Sequence, residues 1–211
     1  MARRRRAPQV RTEEEREARL RSILDAALAI FAERGFAAAR LDDIAAQAGV
    51  AKGTLYLYFP SKDALFEGLV RSIVASPLKG LTDEIARSDA PTDALLRMVF
   101  RFFRTEVLGT ERKEIIRLVI AESRRFPQLA ETYRREVIAR GLVLLRRIAR
   151  RGLARGELAS DALAAFPQLI VAPAVTALIW TSLFEAEEPL DVEAMFEAHV
   201  ALLTGAGKAK P

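Results

Sequence analysis

With 211 residues, 51% of them hydrophobic and 29% charged, the chain has the balance of a soluble globular protein, with room for one sizeable core or for a small domain beside a larger one. It contains no cysteine and one histidine, which excludes a disulfide framework, a thiolate nucleophile and a sulfur-ligated zinc site and leaves His199 as the sole imidazole. The formal net charge of +5 permits a polyanionic partner without demanding one.

Arg3, Arg4, Arg5 and Arg6 open the chain, but Glu13, Glu14, Glu15 and Glu17 follow where an export signal needs an apolar core, so a cytoplasmic protein is expected. Residues 1–12 read as a disordered basic arm. Such an arm is either a solvated tail or, beside a DNA-binding unit, a source of arginines for phosphates or a narrow minor groove. Glu13 to Arg34 reads as a first helix: Leu20, Ile23, Leu24, Ala27, Leu28 and Phe31 recur at helical spacing, acidic residues crowd the first turn, and Gly35 follows the last.

The stretch Leu41 to Phe59 reads as two short helices joined by a glycine turn. Leu41, Ile44, Ala45 and Ala48 share one buried face, Gly49 supplies a positive φ where that helix stops, and Val50 packs in the elbow. In the second helix Leu55 and Phe59 face inward, which leaves Lys52, Thr54, Tyr56, Leu57 and Tyr58 on or near the outer surface. Hydrogen-bond donors and aromatics on the outside of a short helix suit a DNA groove, although ordinary helical hairpins share this outline.

The segment GVAKGTLYLYF, followed by PSKDAL and preceded by IFAERGF, resembles the TetR family of bacterial transcriptional regulators over roughly residues 23–69. The resemblance implies a double-stranded DNA operator as partner. It places Lys52 near the DNA backbone, Gly53 where the helix N-terminus approaches a phosphate, and Thr54 and Tyr58 where hydroxyls contact phosphate or base edges. Tyr56 matches a groove-facing aromatic, and Lys62 a phosphate contact. Leu57 holds the variable readout position, where an apolar side chain senses only a thymine methyl or a sugar. Arg40 departs from the family's Thr or Ser before the second helix. It cannot accept helix N–H bonds, so Asp42 or Asp43 is expected to satisfy that terminus while Arg40 reaches a phosphate.

Ser61 is the expected cap of the next helix, with Asp63 in its first turn and an end near Pro77. By resemblance this helix connects a reading head to a larger domain. From Thr92 onward long helical patterns follow, Ala94 to Val107 and Arg112 to Arg125, whose stripes are first of all core. Such a bundle can also enclose a ligand. The segment RLVIAESRRFPQLAETY resembles, less specifically, the effector domains of AcrR/AefR-like relatives. Candidate pocket residues are Phe100, Phe103, Ile116, Ile120, Trp180 and Phe184, each with core packing as the competing reading.

Gln128 to Leu153 carries Arg134, Arg135, Arg140, Arg146, Arg147, Arg150 and Arg151, a solvated face in preference to a second nucleic-acid or membrane surface. Ala162 to Phe184 has no charge and is long enough for a membrane span, but Gln168, Thr176, Thr181 and Ser182 interrupt it and Pro167 and Pro173 break or bend it. TetR-like proteins pair through their last two long helices, so this segment and Asp191 to Thr204 are expected to form a homodimer interface, with no membrane association. His199 is read as a packed or interface residue, not a metal ligand.

The expected fold is all-α, divided as arm 1–12, helix-turn-helix domain 13–60, connecting helix 61–76, ligand-binding and dimerisation domain 77–205 and tail 206–211. The expected function is a ligand-responsive regulator, a repressor that binds a pseudo-palindromic operator as a dimer and is released by a small apolar or amphipathic effector. No cofactor is expected. The alternatives are a regulator that lacks an effector or activates, and a membrane-associated helical protein. An enzyme is disfavoured: there is no glycine-rich phosphate loop, no Cys-His pair and no nucleophile elbow, and Glu114 and Glu122 read as solvated.

Overall fold

A computed structural model describes residues 13–158 and 160–205, so the basic arm and the tail lie outside the described residues. Among these, all regular structure is helical. The chain divides into two compact units after Leu69, inside the stretch expected to form the connecting helix.

Unit 1 contains α1 (Glu13–Ala38), α2 (Leu41–Gln47), α3 (Lys52–Tyr58) and α4 (Lys62–Leu69). The helical geometry of α1 breaks at Gly35, whose φ of 73° and ψ of 170° turn the chain so that Phe36 points into the core. Phe31, Phe36 and Phe66 meet there at centroid separations of 5.5, 6.3 and 6.0 Å, and Ile23, Ile44, Leu55 and Leu65 fill the space around them. The end of α2 is closed by its own backbone. Val50 N–H donates to Ala45 O at 3.0 Å and Gly49 N–H to Ala46 O at 3.1 Å, the paired bonds of a Schellman turn, with Gly49 at φ 66°. Ser22 Oγ ties α1 to the same turn through Ala48 O at 2.9 Å. Ser61 caps α4, accepting from Ala64 N–H at 3.1 Å.

Unit 2 is a bundle of α5 (Ser76–Arg87), α6 (Thr92–Phe102), α7 (Arg112–Glu122), α8 (Pro127–Tyr133), α9 (Ala139–Ala154), α10 (Ala162–Ala165), α11 (Gln168–Leu183) and α12 (Val192–Thr204). Three π-helical turns, Val70–Ala75, Phe103–Leu108 and Arg134–Ile138, interrupt the α-helical register. The core joins Leu95, Leu96, Phe100, Ile148, Ala174 and Phe196, with Phe100 and Phe196 stacked at 4.6 Å.

One expectation needs correcting. Pro77 does not end the helix. The chain continues through the π turn into α5 with Pro77 in its first turn, where a proline's missing N–H is tolerated. The carbonyl that a residue at 77 would engage four positions back belongs to Ile73, and Arg112 Nε donates to it at 2.7 Å instead. Arg112 is itself held by Glu106 Oε2 at 2.8 Å. The charge-free stretch 162–184 is interrupted at Pro167, as expected. It breaks at Phe166 and Pro167 into α10 and α11, and among the described residues no helix is long and apolar enough to cross a membrane.

Candidate functional site

The geometry of α3 follows from its two anchors. Leu55 is fully buried, and Phe59 closes the helix with its N–H on Leu55 O at 2.8 Å while its ring lies against Gly68 of α4. A methyl group at Gly68 would collide with Cε1 and Cζ of that ring, so Gly68 is a supporting residue of the α3 mount. Its signal in the sequence was only a glycine inside a helix.

With the inward face fixed, Leu57 projects outward at 87% exposure and Tyr56 at 40%, whereas Thr54 and Tyr58 are half-buried. Lys52 is exposed and its Nζ is 2.8 Å from Asp42 Oδ2, with the Tyr56 ring centroid 5.9 Å away. The hydrogen bond to Asp42, reinforced by that carboxylate's charge, raises the Lys52 pKa above the usual lysine value, so the ammonium is charged throughout the physiological range. No side chain caps the N-terminus of α3. Gly53 has ordinary φ, and a Cβ built there would meet open space. The fold therefore has no need of glycine at this position.

Asp42 and Asp43 do not cap α2 as expected, and Lys62 has partners within unit 1. Arg40 is exposed at the N-cap of α2, and no side chain makes a cap bond there. Asp42 is engaged by Lys52, and Asp43 takes Arg34 Nη1 at 2.8 Å; their favourable position in the first turn is electrostatic. Lys62, matched by resemblance to a phosphate contact, turns inward. Its Nζ donates to Phe36 O at 2.5 Å, Ala37 O at 3.0 Å and Ala39 O at 3.0 Å, and lies 4.7 Å from the Phe36 ring centroid. These bonds close the end of α1.

In unit 2 an apolar cavity of about 560 Å³ lies between the helices. Phe100, Phe103 and Ile116 line it. Ile120, Trp180 and Phe184 do not: Ile120 is 62% exposed on α7, while Trp180 packs edge-on against Phe184 at 5.2 Å and donates Nε1–H to Glu188 O at 2.8 Å, a cluster at the end of α11. Sequence reasoning missed Val74, Tyr133, Val137 and Val171 as wall residues. Each π turn contributes to the wall: Val74 from the first, Phe103 and Val107 from the second, Val137 and Ile138 from the third. A π turn widens the helix and shifts the faces that follow, and such turns concentrate at functional sites.

Beside this wall Glu136 is 3% exposed and carries three arginines, with Arg71 Nη2 at 3.1 Å, Arg135 Nε at 3.0 Å and Arg140 Nη2 at 2.8 Å. The Arg71 hydrogen bond is the largest cause of its lowered pKa, so the buried carboxylate stays ionised and paired. His199 donates Nε2–H to Leu169 O at 3.1 Å and stands edge-on to Phe100 at 5.9 Å. Among the described residues no group of His, Asp and Glu could hold a metal ion.

Residues 23–69 match the family described as bacterial regulatory proteins, tetR family, and residues 89–203 match the tetracyclin repressor-like C-terminal domain. The HTH-type transcriptional regulator RutR of Escherichia coli strain K12 is 34% identical over 131 residues, covering 61% of this chain and 52% of RutR. The chain thus spans about half the length of that curated relative. Bacillus subtilis FadR in complex with stearoyl-CoA superposes with a TM-score of 0.73 at 22% identity, covering 89% of this chain and 99% of FadR. SmeT in its triclosan complex superposes with a TM-score of 0.71 at 22% identity, over 88% and 90% of the two chains. At these identities the two structures show a shared fold.

Proposed function

The chain belongs to the TetR family of bacterial transcriptional regulators, a helix-turn-helix protein with a larger helical C-terminal domain, and from that premise we propose that it is a cytoplasmic repressor. In this reading it binds a pseudo-palindromic operator as a homodimer and releases it when a small apolar or amphipathic effector enters the unit 2 cavity. The observation that carries the DNA part is the outward row of α3, in which Lys52, Gly53, Tyr56 and Leu57 are presented by a helix whose packing uses only the opposite face. Gly53 allows a phosphate to approach the uncapped helix start. Leu57 reads a thymine methyl or packs on a sugar, and Tyr56, Thr54 and Tyr58 supply hydroxyls. Arg40 adds a phosphate contact, and the arginines of the N-terminal arm add salt-sensitive affinity. Lys62 acts by holding the end of α1.

For pairing, α11 exposes Val175, Ile179 and Leu183 at four-residue intervals, and Leu202 is exposed on α12. Such a stripe is stabilised by a partner carrying the same stripe. The cavity has the size of a small-molecule site, and the stearoyl-CoA and triclosan held by FadR and SmeT support an apolar or amphipathic effector. An effector shifts the equilibrium only through stronger binding to the form that does not fit the operator. In this reading the first π turn transmits that difference, which is supported by its following α4 in the chain, by Val74 in the cavity wall and by Arg71 held on Glu136.

Selection from a random DNA library at near-physiological salt tests this reading. It predicts an enriched inverted repeat whose two half-sites lie about one helical turn apart. Salt-sensitive binding with no enriched sequence would contradict it.

A further inference from the structure

Building on the reading of the unit 2 cavity as the effector site, we infer that Tyr133 is its polar handle. The cavity takes an amphipathic molecule whose uncharged acceptor oxygen, in a carbonyl, ether or hydroxyl group, receives a hydrogen bond from the Tyr133 hydroxyl. Its apolar body lies along Phe100, Phe103, Ile116 and Val171.

The chemistry of the wall sets the ligand class. None of the lining residues is Asp, Glu, Lys, Arg or His, and the polar side chains are those of Tyr133 and Gln168. Gln168 is exposed and reaches water. Tyr133 is 8% exposed, and its hydroxyl has no hydrogen-bond partner among the described residues. Buried tyrosine hydroxyls ordinarily find one. The hydroxyl is not sealed within packed side chains: the sealed, unpartnered side-chain atoms of the described residues are Thr92 Oγ1 and Arg151 Nε. Tyr133 forms part of the cavity wall, and we take the surface left to its hydroxyl to face the cavity. Burial pushes its pKa far above the ordinary tyrosine value, which keeps the group a neutral donor. A ligand charge carried into this space would meet no counter-charge, so the acceptor that binds here is neutral and any charged head stays at the mouth.

The fold explains why the donor is fixed in place. Leu129, one turn earlier on α8, is fully buried and sets the inward face, and the π turn 134–138 begins immediately after Tyr133.

The test uses the full chain and the neutral fluorophore N-phenyl-1-naphthylamine, displaced by 2-nonanone, by 1-nonene and by nonanoate at pH 8, for the wild type and Tyr133→Phe. Loss of one hydrogen bond predicts about tenfold weaker binding of 2-nonanone by the variant. Binding of 1-nonene and of the fluorophore should be unchanged, which also shows that the variant is folded. The wild type should prefer 2-nonanone to nonanoate. The variant should melt at or above the wild-type temperature, because the hydroxyl has no protein partner to lose. Equal binding of 2-nonanone by both proteins overturns the role of Tyr133 and leaves the effector cavity standing. Preference for nonanoate overturns the neutral class, as a lowered melting temperature overturns the unpartnered hydroxyl. Failure of the wild type to bind the fluorophore and all three displacers overturns the cavity reading itself, and this inference with it.

Discussion

The two units spend their apolar residues differently. Unit 1 packs Phe31, Phe36 and Phe66 into a tight aromatic centre and turns one face of α3 outward, with Leu57 in solvent. Unit 2 has more helices yet leaves about 560 Å³ unfilled among Phe103, Ile116 and Val171, with π turns along the wall. A filled core fixes a surface to be presented, whereas an incompletely filled one leaves room for something to enter. Under the proposed function, the contrast puts the DNA contacts of unit 1 in residues the fold does not use, and the effector of unit 2 in space the fold does not fill.

The comparison breaks most easily at the aromatic centre. Phe66→Ala should destabilise unit 1 by about 3–5 kcal/mol, read as an early transition in thermal melting, because a well-packed site collapses poorly around a lost ring. The opposite manipulation suits unit 2. Val171→Phe adds volume to a wall that has space for it, so it should leave stability and DNA binding nearly intact while weakening uptake of an apolar fluorophore by about tenfold or more. Strong destabilisation would show that the cavity is smaller than its walls imply.

Gly53→Ala sharpens the claim about α3. With no positive φ and open space around a Cβ, alanine should stabilise the helix by roughly 0.5–1 kcal/mol, yet weaken operator binding by crowding the helix start. A variant more stable and equally tight on DNA would remove the close-approach role. The smallest effect concerns His199. Burial lowers its folded pKa below the unfolded value, so its neutral form contributes stability above about pH 6.5 that is lost progressively as pH falls through the folded pKa. Melting temperature should fall over that interval, and His199→Gln should flatten the fall.

Much of unit 1 was legible because its determinants are local. The Ile44 and Ala45 face, the Gly49 turn and the inward Leu55 and Phe59 all follow from spacings within one or two helical turns. Lys62 was not legible, since its three carbonyl acceptors lie 23 to 26 residues earlier and depend on the break at Gly35. Gly68 was opaque for the same reason: its neighbour is the ring of Phe59 on another helix. In unit 2 a stripe that lines a cavity and one that lines a core have the same period. Phe100, Phe103 and Ile116 therefore could not be told apart from Ile120, Trp180 and Phe184, and the separation rests on helix packing across long sequence distances. Pro77 misled because a local helix-breaking rule was offset by a distant group, Arg112, that occupies the freed carbonyl of Ile73.

The central claim is that the outward face of α3 binds DNA without being needed for folding. Its most direct test is the affinity of the wild type and Lys52→Ala for a selected operator across a salt series, with melting temperature measured on both. The exposed Lys52–Asp42 pair contributes little to stability, so melting should hardly change. The variant should bind more weakly, and the magnitude of its log-affinity against log-salt slope should fall by about one. Equal affinities and equal slopes, with melting unchanged, would contradict the assignment of this face to DNA.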